Sequence, residues 1–213
     1  QAITTLDFNL DILIVDDNSP DGTGVIANDL SQRYKSRVYV IRREGRLGIG
    51  TAYIQGFKFA LEHSYEYVFE MDADLSHCPG YIPNFLQEMR KHDIIIGSRF
   101  LDNQASGTNS PLRRITISKL GTKYSNFILG LRLSDGTSGF KCIRRNVLES
   151  IDLNKIKSRG YFFQIEINYL AQRLGFRIGE IPIVFHRRKY GRSKMSWSII
   201  GEALWLLWVL RFM

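Results

Sequence analysis

Asp11-Ile-Leu-Ile-Val-Asp-Asp-Asn-Ser-Pro-Asp-Gly22 begins with four apolar residues after its first aspartate and then stops on carboxylates and turn formers. A short apolar run bounded in this way suits a strand covered on both faces, as in a parallel sheet. Outward from it the same grammar repeats. Thr23 to Tyr34 reads as a helix, Arg37 to Arg42 as a second strand, and Gly48 to Glu62 as a second helix. Tyr67 to Met71 is a third strand that runs straight into Asp72-Ala-Asp74; Tyr81 to Lys91 is helical and Asp93 to Gly97 is a fourth strand. Strands and helices alternating at this spacing predict an α/β fold with a mainly parallel sheet flanked by helices.

The second half is less regular. Phe100 to Ser110 is a polar, glycine-containing loop by composition, and Pro111 to Leu129 a long basic helix. The turn cluster from Ser134 to Gly139 leads into a strand from Phe140 to Ile143, and Tyr161 to Leu174 is helical. A last strand, Arg177 to Phe185, carries Pro182 and so belongs at a sheet edge. Five basic residues, Arg187, Arg188, Lys189, Arg192 and Lys194, surround Gly191, and Ser196 to Met213 closes the chain as an aromatic, apolar helix.

At 213 residues the chain has the length of one domain with a peripheral appendage. With 44 % hydrophobic and 23 % charged residues it is excluded from the disordered, collagenous and polytopic membrane classes. Lysine and arginine number 29 against 21 acids, and the net charge of +8 favours anionic partners: phosphates, nucleic acid or an acidic membrane face. Two cysteines, Cys78 and Cys142, make no disulfide framework and point to a reducing compartment. The chain opens at Gln1 without a signal-peptide core and reads as the ordered part of a longer one.

Three acidic clusters fall where strands end: Asp16-Asp17, Asp72-Ala-Asp74, and Asp135 beside Ser138. Ligands of open α/β sheets bind just beyond the carboxyl ends of the strands. Asp-x-Asp after a buried strand suits Mg²⁺ or Mn²⁺, which completes its shell with water and substrate phosphates. A lone Asp-x-Asp is as a rule a solvated turn; the strand before it and the basic excess tip the balance here. Arg99, Arg114, Lys119, Arg188 and Lys194 supply the cations that phosphate oxygens require, although a solubilising surface accounts for most such runs. Gly48-Ile-Gly-Thr-Ala52 at a helix start allows a ligand to approach the backbone closely. No metal-spaced histidines, nucleophile elbow or Walker loop appear, and no helix-turn-helix or aromatic platform supports nucleic-acid binding. The apolar stretch from Ala203 to Leu210 is too short to span a bilayer, but Trp197, Trp205 and Trp208 all fall in this last helix and suit a membrane interface.

Taken in order, Val15-Asp-Asp-Asn-Ser-Pro-Asp-Gly-Thr23, Gly48-Ile-Gly-Thr-Ala52, Met71-Asp-Ala-Asp-Leu-Ser-His77, Gly97-Ser-Arg99, Pro111-Leu-Arg-Arg114 with Ser118-Lys119, Asp135 to Phe140 and Gly191-Arg-Ser-Lys-Met195 resemble the polyprenol-phosphate (dolichyl-phosphate) mannosyltransferases. These are inverting glycosyltransferases of family two with the GT-A (Rossmann-like) fold. The resemblance implies a catalytic domain over 1–195 and an amphipathic membrane-interface helix over 196–213. It implies that Asp17 contacts the nucleotide base with Asp16 supporting the loop, and that Asp72 and Asp74 hold Mg²⁺ or Mn²⁺, with Ser76 reaching the metal through a water. Arg99, Arg114 and Ser118 then hold the acceptor phosphate, Arg188 and Lys194 close over the donor diphosphate, and Asp135 and Ser138 line the sugar pocket. The implied donor is GDP-mannose, the acceptor a dolichyl or undecaprenyl phosphate, and the place the cytoplasmic face of a membrane, endoplasmic reticulum or plasma membrane, with a membrane-anchoring subunit as a further partner. The family also opens with a strand ending in Pro-x-Tyr-Asn-Glu, and nothing before Asp11 matches it. The rival readings are a UDP-sugar donor on the same fold, a non-catalytic nucleotide-sugar-binding subunit, and a nucleic-acid-binding domain.

Overall fold

Apolar runs become strands and amphipathic segments become helices largely where the sequence places them. A computed structural model describes residues 9–101, 112–186 and 197–212. Its elements are β1 (Ile12–Asp16), α1 (Thr23–Arg33), β2 (Val38–Arg42), α2 (Ile49–Glu62), β3 (Tyr67–Glu70), α3 (Ile82–Glu88), β4 (Ile94–Ser98), α4 (Leu112–Leu129), β5 (Lys141–Arg144), α5 (Arg145–Ser150), α6 (Phe163–Arg173), β6 (Ile178–Pro182) and α7 (Trp197–Arg211).

The strands fall into two sheets. β1 and β2 pair in parallel, and a second sheet has the order β3-β5-β4-β6. β4 and β6 are parallel, while β5 runs antiparallel between β3 and β4. The direction of β5 follows from its approach. Asp135 and Thr137, just before β5, are hydrogen-bonded to Arg99, just after β4, so β5 starts at the end where β4 finishes. β6 is an edge strand, in keeping with Pro182.

β4 is the centre of the core. Its residues alternate faces, as strand geometry requires. Ile94 and Ile96 pack with Ile143, Phe57, Phe163 and Ile167 on one side. Ile95 packs with Phe85, Met89, Phe140 and Cys142 on the other. The C-terminal helix joins the first of these clusters through Leu206, Leu207 and Leu210, and packs along α4. α2 lies against both β1 and β3, and so bridges the two sheets. Among the described residues no strand sits between β1 and β3.

Candidate active site

The carboxyl ends of β1 and β2 form one half of the site. Asp16 is buried, and its carboxylate accepts the backbone N–H of Ser19, shaping the loop after β1. Asp17 is more open and pairs with Arg43, whose Nε donates to Asp17 Oδ1 at 2.6 Å. Arg43 also donates to Thr51 Oγ1 at 2.6 Å and to the carbonyl of Gly48 at 3.2 Å, tying the β1 loop to the start of α2. Its guanidinium thus orients Asp17 while leaving that carboxylate partly accessible. Arg43 escaped the sequence reading although it follows a strand directly, the position that singled out Arg99.

Gly48 meets backbone from elsewhere in the chain. A side chain there would collide with the protein itself: a methyl group on Gly48 would sit 2.4 Å from the carbonyl oxygen of Arg159, and one on Gly50 2.4 Å from that of Ser158. Gly48 also has φ 100°, which favours glycine. Close approaches at both glycines are made by the 158–159 backbone, with Gly50 N–H bonded to Arg159 O at 2.9 Å.

The other half lies at the ends of β3 and β4. Leu75, at φ 63°, turns the chain sharply after Asp72-Ala-Asp74. Asp74 Oδ1 accepts both the N–H of Ser76 at 3.0 Å and its hydroxyl at 2.5 Å. Asp72 N–H donates to His77 Nδ1 at 3.1 Å, and the His77 ring is stacked on Phe140. Both carboxylates are half-buried, hard oxygen donors carried on one short loop, a set that fits Mg²⁺ or Mn²⁺ with other ligands from water and phosphate. No group of three or more His, Cys, Asp or Glu suited to a metal occurs among the described residues. Ser76 is fully buried and spends its hydroxyl on Asp74; it positions that carboxylate instead of presenting itself as a ligand.

Arg99 and Asp135 form a two-pronged pair, with Nε to Oδ2 at 2.6 Å and Nη2 to Oδ1 at 2.7 Å. Nη2 also donates to Ser118 Oγ at 3.0 Å and Thr137 Oγ1 at 2.9 Å. Burial disfavours the charge on Arg99, but Asp135 and then Asp72 outweigh it and raise its pKa above the ordinary value, so it stays cationic. Arg99 and Ser118 are thus brought together. Asp135 and Ser138 are not open to a sugar: Asp135 is fully buried on Arg99, and the Ser138 hydroxyl donates to Gly97 O at 2.7 Å. Their role is to fix Arg99 and the turn before β5. Arg114 lies on the first turn of α4, where the backbone alone is described; Arg188 and Lys194 lie outside the described residues.

Beneath Asp72 is a buried network that the sequence reading missed. Glu70 and Lys141 are cross-strand partners on β3 and β5. Gln164 of α6 joins them, accepting from Lys141 Nζ at 2.5 Å and donating to Glu70 Oε2 at 2.6 Å. Burial pulls the Lys141 ammonium down to about 8, opposed by Glu70 and Asp135, and burial raises Glu70 against the pull of Lys141. The signal was there: each charge interrupts an otherwise apolar strand, and opposite charges in neighbouring buried strands call for each other.

Fold and site together define a GT-A glycosyltransferase, and the chain belongs to glycosyl transferase family 2, whose model matches residues 3–152. Over 194 residues it is 43% identical to polyprenol monophosphomannose synthase of Mycolicibacterium smegmatis, covering 91% of this chain and 73% of that protein. It is 44% identical to undecaprenyl-phosphate mannosyltransferase of Micrococcus luteus, covering 91% of this chain and 79% of that protein. Among solved structures it is similar to glucosyl-3-phosphoglycerate synthase from Mycobacterium tuberculosis in complex with phosphoglyceric acid, with TM-score 0.62 at 17% identity over 95% of this chain and 68% of that one. That likeness carries the fold alone.

Proposed function

We propose that the protein transfers mannose from GDP-mannose to a polyprenyl phosphate with inversion, giving a β-linked mannosyl phospholipid. The observation that carries this reading is the electrostatic coupling of Asp72, after β3, to a permanently charged Arg99, after β4 on the far side of β5, in a chain 43% and 44% identical to two polyprenyl-phosphate mannose enzymes.

The acceptor is a phosphate monoester, already anionic and nucleophilic near neutral pH, so no strong general base is required. One of its oxygens forms the bond to the anomeric carbon while the bond from that carbon to the diphosphate oxygen breaks, and the electron pair leaves with GDP. Arg99, held rigid by Asp135, Ser118 and Thr137, orients the attacking phosphate. Arg114, Arg188 and Lys194 are assigned the further positive charge that the acceptor phosphate and the donor diphosphate call for. Asp17 receives the base on an edge stiffened by Arg43. Asp72 and Asp74 would hold Mg²⁺ or Mn²⁺, which when bound neutralises charge gathering on the departing diphosphate.

The surface supports work at a bilayer on the cytoplasmic side. On α7, Trp205 and Trp208 are exposed beside Leu204 and Phe212, opposite the buried leucines, and the net charge of +8 favours anionic lipid. No described helix is long and apolar enough to cross a membrane, and a membrane-anchoring subunit would complement this interfacial contact.

The test is a transfer assay offering radiolabelled GDP-mannose, UDP-glucose and UDP-GlcNAc, each with a short polyprenyl phosphate and Mg²⁺ or Mn²⁺. Label entering the organic phase from GDP-mannose, and abolished by EDTA, is the expected result. Label from a UDP-sugar alone replaces the donor, and no transfer from any donor overturns the reading.

A further inference from the structure

Gly139, in the turn before β5, faces a small polar space. A methyl group placed on it would lie 3.7 Å from the Tyr53 hydroxyl, 3.8 Å from Asp72 Oδ1 and 3.8 Å from Gln164 Nε2. Three polar atoms from α2, the β3 loop and α6 thus surround one position; Gly139, Tyr53 and Asp72 are half-buried and Gln164 is buried.

Each wall is fixed from behind. The Tyr53 ring is stacked on Phe163 at 5.6 Å between centroids, with Phe57 beyond it. No described residue takes a hydrogen bond from its hydroxyl, and burial followed by the nearby carboxylates of Glu70 and Asp72 keeps it protonated. The orientation of Gln164 is dictated by chemistry: Lys141 can only donate, so it takes the amide oxygen, and the Glu70 carboxylate accepts, so it takes one Nε2 hydrogen. The second Nε2 hydrogen is taken by neither Lys141 nor Glu70, and its nitrogen is the atom 3.8 Å from that position. The niche therefore offers a donor from Gln164, an acceptor from Asp72, and a group in Tyr53 that can do either. That combination matches an alcohol, which both donates and accepts.

We infer that the niche between Tyr53, Asp72, Gln164 and Gly139 binds a hydroxyl group of the donor's sugar and sets which sugar is accepted. The inference rests on the nucleotide-sugar reading above and takes over the sugar-recognising role that the buried Asp135 and Ser138 cannot fill. Asp72 marks the place, since it belongs also to the loop that meets the diphosphate. Lys141 and Glu70 act as positioning residues through Gln164.

The experiment measures GDP-mannose and GDP affinities by titration calorimetry with Mn²⁺ for the wild type, Gly139→Ala and Tyr53→Phe. Gly139→Ala fills the space at ordinary contact distances and should weaken GDP-mannose about tenfold or more. Tyr53→Phe removes one hydrogen bond and should weaken it about three- to tenfold. GDP, which has no sugar at this position, should stay within about twofold in both variants. GDP-mannose affinity unchanged in both variants, or GDP weakened as much as GDP-mannose, would overturn the niche. Failure of the function itself shows in the wild type, as no binding of GDP-mannose, and there it overturns both readings.

Discussion

All five residues of β4 are buried, whereas in β1 only Asp16 is, and Ile12 to Val15 are half-buried. The contrast runs through the whole molecule. The four-stranded sheet is covered on both faces by the two apolar clusters and carries the Arg99–Asp135 pair and the Glu70–Gln164–Lys141 network. The β1–β2 pair leans on α1 and α2 and relies on Arg43 to hold its functional loop. Chemistry that requires a charge aimed to within a few tenths of an ångström sits on the rigid sheet. In the proposed reading, recognition of the flat base falls to the looser one.

Several substitutions would break or sharpen that contrast. Asp74→Ala should lower metal-dependent transfer at least about a hundredfold while the circular dichroism stays native, because the lost oxygen serves the site and not the core. Ser76→Ala, which removes one of two donors to Asp74, should weaken Mn²⁺ binding about tenfold, read by titration in the presence of GDP. Ile95→Ala should cost about 3 kcal/mol in denaturant unfolding against about 1 kcal/mol for Leu13→Ala; equal costs would show that the two sheets are equally well packed. Trp205→Ala should leave stability unchanged within about 0.5 kcal/mol yet weaken co-sedimentation with anionic vesicles.

The smallest effect is a pH slope confined to the buried sheet. Burial raises the Cys142 thiol far above its ordinary 9.0, so the folded protein keeps a proton that the unfolded chain releases. Stability from this group is complete below about 9 and declines as pH rises beyond it. Lys141 on the same strand acts the other way: with its pKa near 8 in the folded state, below the unfolded value, its contribution grows as pH climbs from about 8 to about 10.4. Cys142→Val should therefore flatten the alkaline decline, and Lys141→Met should steepen it.

Much of this was legible in the residues. Apolar runs ending in carboxylates located β1 and β3, and one ending in Gly-Ser-Arg located β4, each to within about a residue, and placed Asp17, Asp72, Asp74 and Arg99 at strand ends. The direction of β5 was not legible, because strand propensity carries no sign; only the bonds from Arg99 to Asp135 and Thr137 set it. Which carboxylates face a ligand was equally hidden. Asp135 and Asp72 look alike in the chain, yet one is sealed against a guanidinium and the other is half-open. Gly48 is ambiguous for a related reason: glycine signals a close approach without saying what makes it, and the Arg159 carbonyl is one such neighbour.

α7 belongs to two surfaces at once. Its Leu206, Leu207 and Leu210 sit in the same cluster as Ile94 and Phe163, while Trp205 and Trp208 look outward. The helix cannot peel away without opening the core of the catalytic sheet. A bilayer that grips the outward face of the docked helix therefore behaves as a folding ligand for the whole enzyme, worth about 2.7 kcal/mol when lipid stands at a hundred times its dissociation constant. If α7 binds a bilayer as proposed, detachment and loss of thermal tolerance should be one event, observable in a single melting curve with and without vesicles.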